Sequence, residues 1–210
     1  QLNAMASDDL KALTTTQVRA LTSDQLSKLS SDQVALMATD DIAAISSAQI
    51  SHLSTGAIGA LTTAQAKALT TAAINALTSA QIAAIETADL AAMSSTQLSN
   101  MGNTQVAQLT SLQVAALTTG QLKSLSSGQV AALTSAQLNA LTSAQLPSLS
   151  SSQVRALTTD QLSKLTTTQI AGLSTAQVAA LSTGQVAALT SVQLNAMASD
   201  DLKALTTTQV

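Results

Sequence analysis

A period of eight residues constrains this chain more than any other feature. From Leu13 the sequence runs LTTTQVRA, LTSDQLSK, LSSDQVAL, MATDDIAA and keeps that frame to Val210 without an insertion or deletion. Counted from Met5 there are 26 octads, the last truncated. A fixed short period implies one structural unit per repeat, stacked on its neighbours.

Position 1 of the octad is always Leu, Met or Ile, and position 6 is Leu, Val or Ile except at Ala66. Position 3 is Ser or Thr except at Asn103. Position 5 is Gln unless it is Asp (Asp9, Asp41, Asp89, Asp201) or Ala (Ala57, Ala73). Position 8 is mostly Ala, while positions 4 and 7 vary as solvent-facing sites do.

One continuous helix cannot use this pattern. Eight residues turn through about 800°, about 80° past two full turns. The apolar stripe would circle the helix instead of facing one partner. Something must reset the chain in every octad.

The reset is written as a helix start. Ser, Thr and Asn are preferred N-caps because their side-chain oxygens accept hydrogen bonds from free N–H groups of the first turn. Position 3 uses only these three, which favours Thr15, Ser23, Ser31, Thr39 and Asn103 as structural caps. Position 2 competes for the role. Where it is Ser or Thr it stands three residues before Gln, as in Thr14-x-x-Gln17, the spacing of a capping box with Leu13 and Val18 as its hydrophobic staple. Position 2 also admits Ala6, Ala38, Glu86, Gly102 and Ala198, so position 3 is the favoured cap and the choice stays open.

Charge gives an independent test. All eleven acids lie at positions 2, 4 or 5, and all eight bases at positions 7 or 8. The helix macrodipole favours acids at its N-terminus and bases at its C-terminus. One short helix per octad follows, from about position 4 to position 8 or the next position 1.

So short a helix is unstable alone, because nucleation costs more than one or two turns return. Its cohesion must come from neighbouring octads covering the aliphatic residues, here Leu13, Val18, Leu21 and Leu26 as the first core positions. With no Phe, Trp, Tyr or Cys, the chain has neither aromatic rings for a conventional core nor disulfides. Yet 46% of its residues are hydrophobic, too many for a solvated disordered tail. The expected fold is an all-α solenoid or superhelix of very short capped helices. The rival is a β-solenoid with three octads per coil, opposed by the Ala-rich repeats, the scarcity of Gly and the sorted charges. Pro147, at position 7, should distort its octad.

A longer period overlies the octad. Residues 1–18 recur identically at 193–210, an offset of 192 residues or 24 octads. Residues 1–210 therefore read as one continuous octapeptide array, a segment of a longer chain. The octads, such as IETADLAAM at Ile85–Met93, resemble the LTTAQVAAL-type repeat arrays of very large bacterial surface and adhesin-like proteins. The resemblance covers the whole chain and carries over no catalytic residue. It implies an extracellular or cell-surface setting and a spacer, stalk or fibre role.

The chemistry-bearing residues have structural readings. His52 is the one imidazole and has no evident ligand partners. The pairs Asp8–Asp9, Asp40–Asp41 and Asp200–Asp201 lack the glycine-bearing acidic loop of a calcium site and suit helix starts. Ser and Thr have no base with which to form a nucleophilic triad; composition permits their O-glycosylation, and no Asn-x-Ser/Thr sequon occurs. Eight scattered basic residues at net charge −3 make no nucleic-acid footprint. No apolar run of bilayer length exists. The expectation is a non-catalytic spacer or filament segment with no cofactor, no metal site, no small-molecule substrate and no membrane span. Its partners would be neighbouring repeats or copies of itself. The alternative is a binding solenoid for a glycan, peptide or ordered surface such as ice, which the variable position 7 opposes.

Overall fold

A computed structural model describes residues 10–209. Among them the chain is all helical, with no strand, which removes the β-solenoid alternative. α-Helices of four to six residues recur once per octad from Thr15–Arg19 to Ser199–Lys203, except in the octad of Pro147.

Each α-helix begins at position 3 and ends at position 7 or 8, save Ser47–Ile50, which ends at position 6. The residue before it is extended, as at Thr62 (φ −74°, ψ 158°), and the position-1 residue after it is often extended as well, as at Leu77 (φ −61°, ψ 137°). These are polyproline-like dihedrals open to any L-residue. Among the described residues no φ is positive. The corner therefore needs no left-handed glycine, and glycine is accordingly sparse and aperiodic.

The described residues form two compact units, one ending at Gln108 and the other beginning at Leu109. In the first, helices pack on those three octads away in three columns. Thr15–Arg19 lies on Thr39–Ala44, then Thr63–Ala68, then Thr87–Ala92; Ser31–Leu36 on Thr55–Gly59, then Ser79–Ala84; Ser47–Ile50 on Thr71–Ala76, then Ser95–Ser99. The second unit repeats the rule, with Ser127–Ala132 on Ser151–Arg155, then Thr175–Ala179, then Ser199–Lys203. Three octads thus make one coil in each unit, and cohesion passes from coil to coil.

The core follows from this stacking. Position-6 side chains such as Val18, Leu26, Val130 and Leu162 are fully buried, and position-1 side chains such as Leu69 and Leu133 nearly so. Leu13 and Leu21, in the first described coil, are half-buried. Pro147 distorts its octad, where a turn and a 3₁₀ segment, Leu146–Ser148, replace the α-helix. The ring removes an N–H but not the period: Leu146 and Leu149 remain buried.

Candidate functional site

The octad's constant polar residues meet at its corners. The cap lies at position 2, not position 3. Thr14, Thr22 and Ser30 are extended and accept hydrogen bonds from Gln17, Gln25 and Gln33 N–H, while Thr15, Ser23, Ser31, Thr39 and Asn103 occupy the first helical position. The physical reason is geometric. A capping oxygen must precede the N–H it binds by three residues on a non-helical backbone, and only position 2 meets both conditions. Ala38 stands at the cap with no side-chain bond, and at Gly102 only the backbone N–H engages, at 3.0 Å from Gln105 Oε1.

At several octads the position-3 hydroxyl has a partner of its own. Thr183 Oγ1 donates to the Thr208 carbonyl at 2.9 Å and Ser151 Oγ to the Ala176 carbonyl at 3.2 Å, each in the following coil. Thr63 and Thr175 donate to the carboxylates of Asp89 and Asp201 at 2.7 and 2.8 Å.

Position 5 does two jobs. Gln65 Oε1 accepts the Thr62 N–H at 2.8 Å, and the Gln65 N–H donates to Thr62 Oγ1 at 3.3 Å, closing a capping box. Its Nε2 then donates to the carbonyls of Val34 and Met37, both at 2.8 Å, and of Ala35 at 3.3 Å. These carbonyls belong to the last turn of Ser31–Leu36 and the corner after it, groups that a helix C-terminus leaves without intrahelical donors. One side chain therefore caps the start of its own helix and the end of a helix four octads earlier. Gln49, Gln81, Gln153, Gln185 and Gln193 repeat the arrangement.

Burial makes the pairing exacting. Gln65 is 2% exposed, and a buried amide must have both ends satisfied. Glu offers no donor to the carbonyls and Asn lacks the reach. Gln49, Gln65, Gln81 and Gln153 escaped sequence reasoning as inter-coil ties because a capping box alone explains an N3 Gln. The available signal was that position 5 varies less than the exposed position-2 half of that box.

The acidic pairs split across the surface. Asp40 and Asp200 are exposed and Asp41 and Asp201 buried, so the two carboxylates of a pair diverge; Asp8 and Asp9 lie outside the described residues. Among the described residues no group of three or more acids, His or Cys lies close enough to hold a metal ion. Burial pushes the Asp41 carboxyl above its usual range, with neighbouring Asp40 adding to the rise and the Ala38 N–H opposing it. Among the described residues its Oδ2 has no hydrogen-bond partner. His52 is exposed at position 8. The exposed pairs Asp24–Lys28, Asp160–Lys164 and Asp200–Lys203, at 2.8 to 3.2 Å, join helix starts to helix ends and add little to stability. Among the described residues no helix is long and apolar enough to cross a membrane.

Short capped helices, three to a coil and tied at their corners by side-chain amides, define a solenoid repeat protein. The chain belongs to the ALTTAQ repeat family, whose profile matches residues 2–39, 34–71, 82–119, 115–143, 136–167 and 162–191. No curated protein and no solved structure matches it in the same comparisons.

Proposed function

We propose that the chain is a non-catalytic structural array, an extended spacer, stalk or filament-forming segment of an extracellular bacterial protein. One observation carries this reading. The constant Gln of position 5 and the capping hydroxyls of position 2 are engaged within the fold, and position 3 adds inter-coil donors at Thr63, Ser151, Thr175 and Thr183, whereas the exposed position 4 and the partly exposed position 7 keep no constant chemistry. Selection on such a sequence maintains stacking rather than a recognition surface. The resemblance to large bacterial surface proteins supports the setting, and exposed faces without fixed chemistry suit a part whose product is length.

Small-angle scattering on this chain, and on versions lengthened by whole three-octad coils, tests the role. The maximum dimension is expected to rise linearly with added coils. A compact particle that grows equally in all directions would overturn it. Protease shaving of intact source cells tests the location: release of the array is expected, and protection until lysis contradicts a surface setting.

A further inference from the structure

The position-5 ties are unevenly distributed, and the pattern is regular. Between residues 41 and 97, tied and untied octads alternate: Asp41, Ala57, Ala73 and Asp89 fall between Gln49, Gln65, Gln81 and Gln97. From Gln97 to Gln193 every octad has its glutamine.

Each exception removes the donor half of the tie, and the two alanines remove the acceptor half as well. Ala57 and Ala73 have no side-chain donor for the helix end beneath them and no acceptor for the N–H of Ser54 and Thr70, whose hydroxyls keep only half a box at 3.1 Å. Asp41 and Asp89 are acceptors where the register calls for a donor. Asp89 is rescued by Thr63, but Asp41 leaves a buried oxygen without a partner among the described residues. The aliphatic row is unbroken through both regions: Ile42, Ile58, Ile74 and Leu90 are buried as fully as Val130 and Leu138.

We infer that residues 37–92 are a built-in yielding segment, whose coils part before those of residues 109–196 when the array is heated or stretched. In a spacer such a segment absorbs extension locally and leaves the remaining coils stacked. The stretching role rests on the spacer reading; the local opening rests on the fold alone.

Hydrogen–deuterium exchange on the whole chain, read by mass spectrometry, tests it. Peptides within 37–92 are expected to exchange about ten-fold faster than those within 143–196, the factor for one to two net hydrogen bonds. Asp41→Gln, Ala57→Gln, Ala73→Gln and Asp89→Gln together should erase the contrast. The converse set, Gln137→Ala, Gln153→Ala, Gln169→Ala and Gln185→Ala, only removes atoms and should bring the second unit to the exchange of the first. Equal exchange in the parent chain, or a converse set that changes nothing, would overturn the inference. Neither result bears on scattering dimensions, so failure of the spacer reading is distinguishable.

Discussion

Gln65 Nε2 donates to the carbonyl of Val34, 31 residues earlier, at 2.8 Å. That bond joins two corners stacked one above the other, the start of one helix and the end of another four octads back. It helps explain how helices of four to six residues persist, since a tied helix borrows a C-terminal partner from the following coil.

The tie makes a prediction about charge at Gln153, which is 3% exposed and binds the carbonyls of Leu122 and Leu125 at 2.9 and 2.7 Å. Gln153→Ala should lower unfolding stability by about 2 kcal/mol, the loss of two hydrogen bonds and part of the packing. Gln153→Glu should cost more near neutral pH, where a carboxylate faces two carbonyl oxygens, and recover in acid as it gains a proton to donate. Urea titrations followed by circular dichroism at several pH values measure both. A Glu variant that behaves like the parent at neutral pH contradicts the tie.

Asp41 already presents that conflict. Its carboxyl is raised by burial, and Asp40 adds to the rise; on the helices packed against its own, the charged groups are Arg19 and Lys67, and neither side chain pairs with it. A raised folded-state pKa means the folded state holds the proton more tightly than the unfolded chain. The associated stability is fully present below the ordinary aspartate range, about pH 4, and is lost as pH rises through the folded value. Asp41→Asn should therefore stabilise the first unit at neutral pH by about 1 kcal/mol, with the gain vanishing in acid. A pH-independent difference would remove the buried carboxyl as its cause.

Much of this architecture was legible in the sequence. The reset, one helix per octad, the apolar positions 1 and 6 and the defect at Pro147 all depend on local spacing, which a sequence displays directly. The cap was not decided, because Thr14 and Thr15 are adjacent hydroxyls and only backbone dihedrals separate the non-helical residue from the first helical one. The four-octad reach of Gln65 was hidden for a different reason: it depends on three octads per coil, a property of how helices stack rather than of any one octad.

Cap placement is tested at Gly102. Its extended backbone (φ −66°, ψ 152°) suits Thr, and an added Cβ would meet only Gln105 Oε1, at 3.7 Å. Gly102→Thr should gain about 1 kcal/mol, from a new cap and a less flexible unfolded chain. Thr134→Ala, which removes the acceptor of the Gln137 N–H, should lose a similar amount. Melting curves showing no loss for Thr134→Ala, together with a loss for Ser135→Ala, would return the cap to position 3.

Glycine separates helix propensity from coil packing. Replacing an exposed helical Gly by Ala ordinarily stabilises by about 1 kcal/mol. Gly120 has room, since an added Cβ would lie 3.9 Å from Thr118 Oγ1, so Gly120→Ala should follow the rule. At Gly59 the same atom would lie 3.0 Å from the Ala84 carbonyl oxygen in the next coil. That oxygen is backbone and cannot swing aside, so the two coils must separate locally to admit a methyl group. Gly59→Ala should therefore destabilise despite its better propensity. Opposite signs for the two variants, measured by thermal unfolding under one set of conditions, would show that stacking distance rather than helix preference sets the residue at position 7. A gain at Gly59 would mean that the coils stand further apart there than 3.0 Å implies.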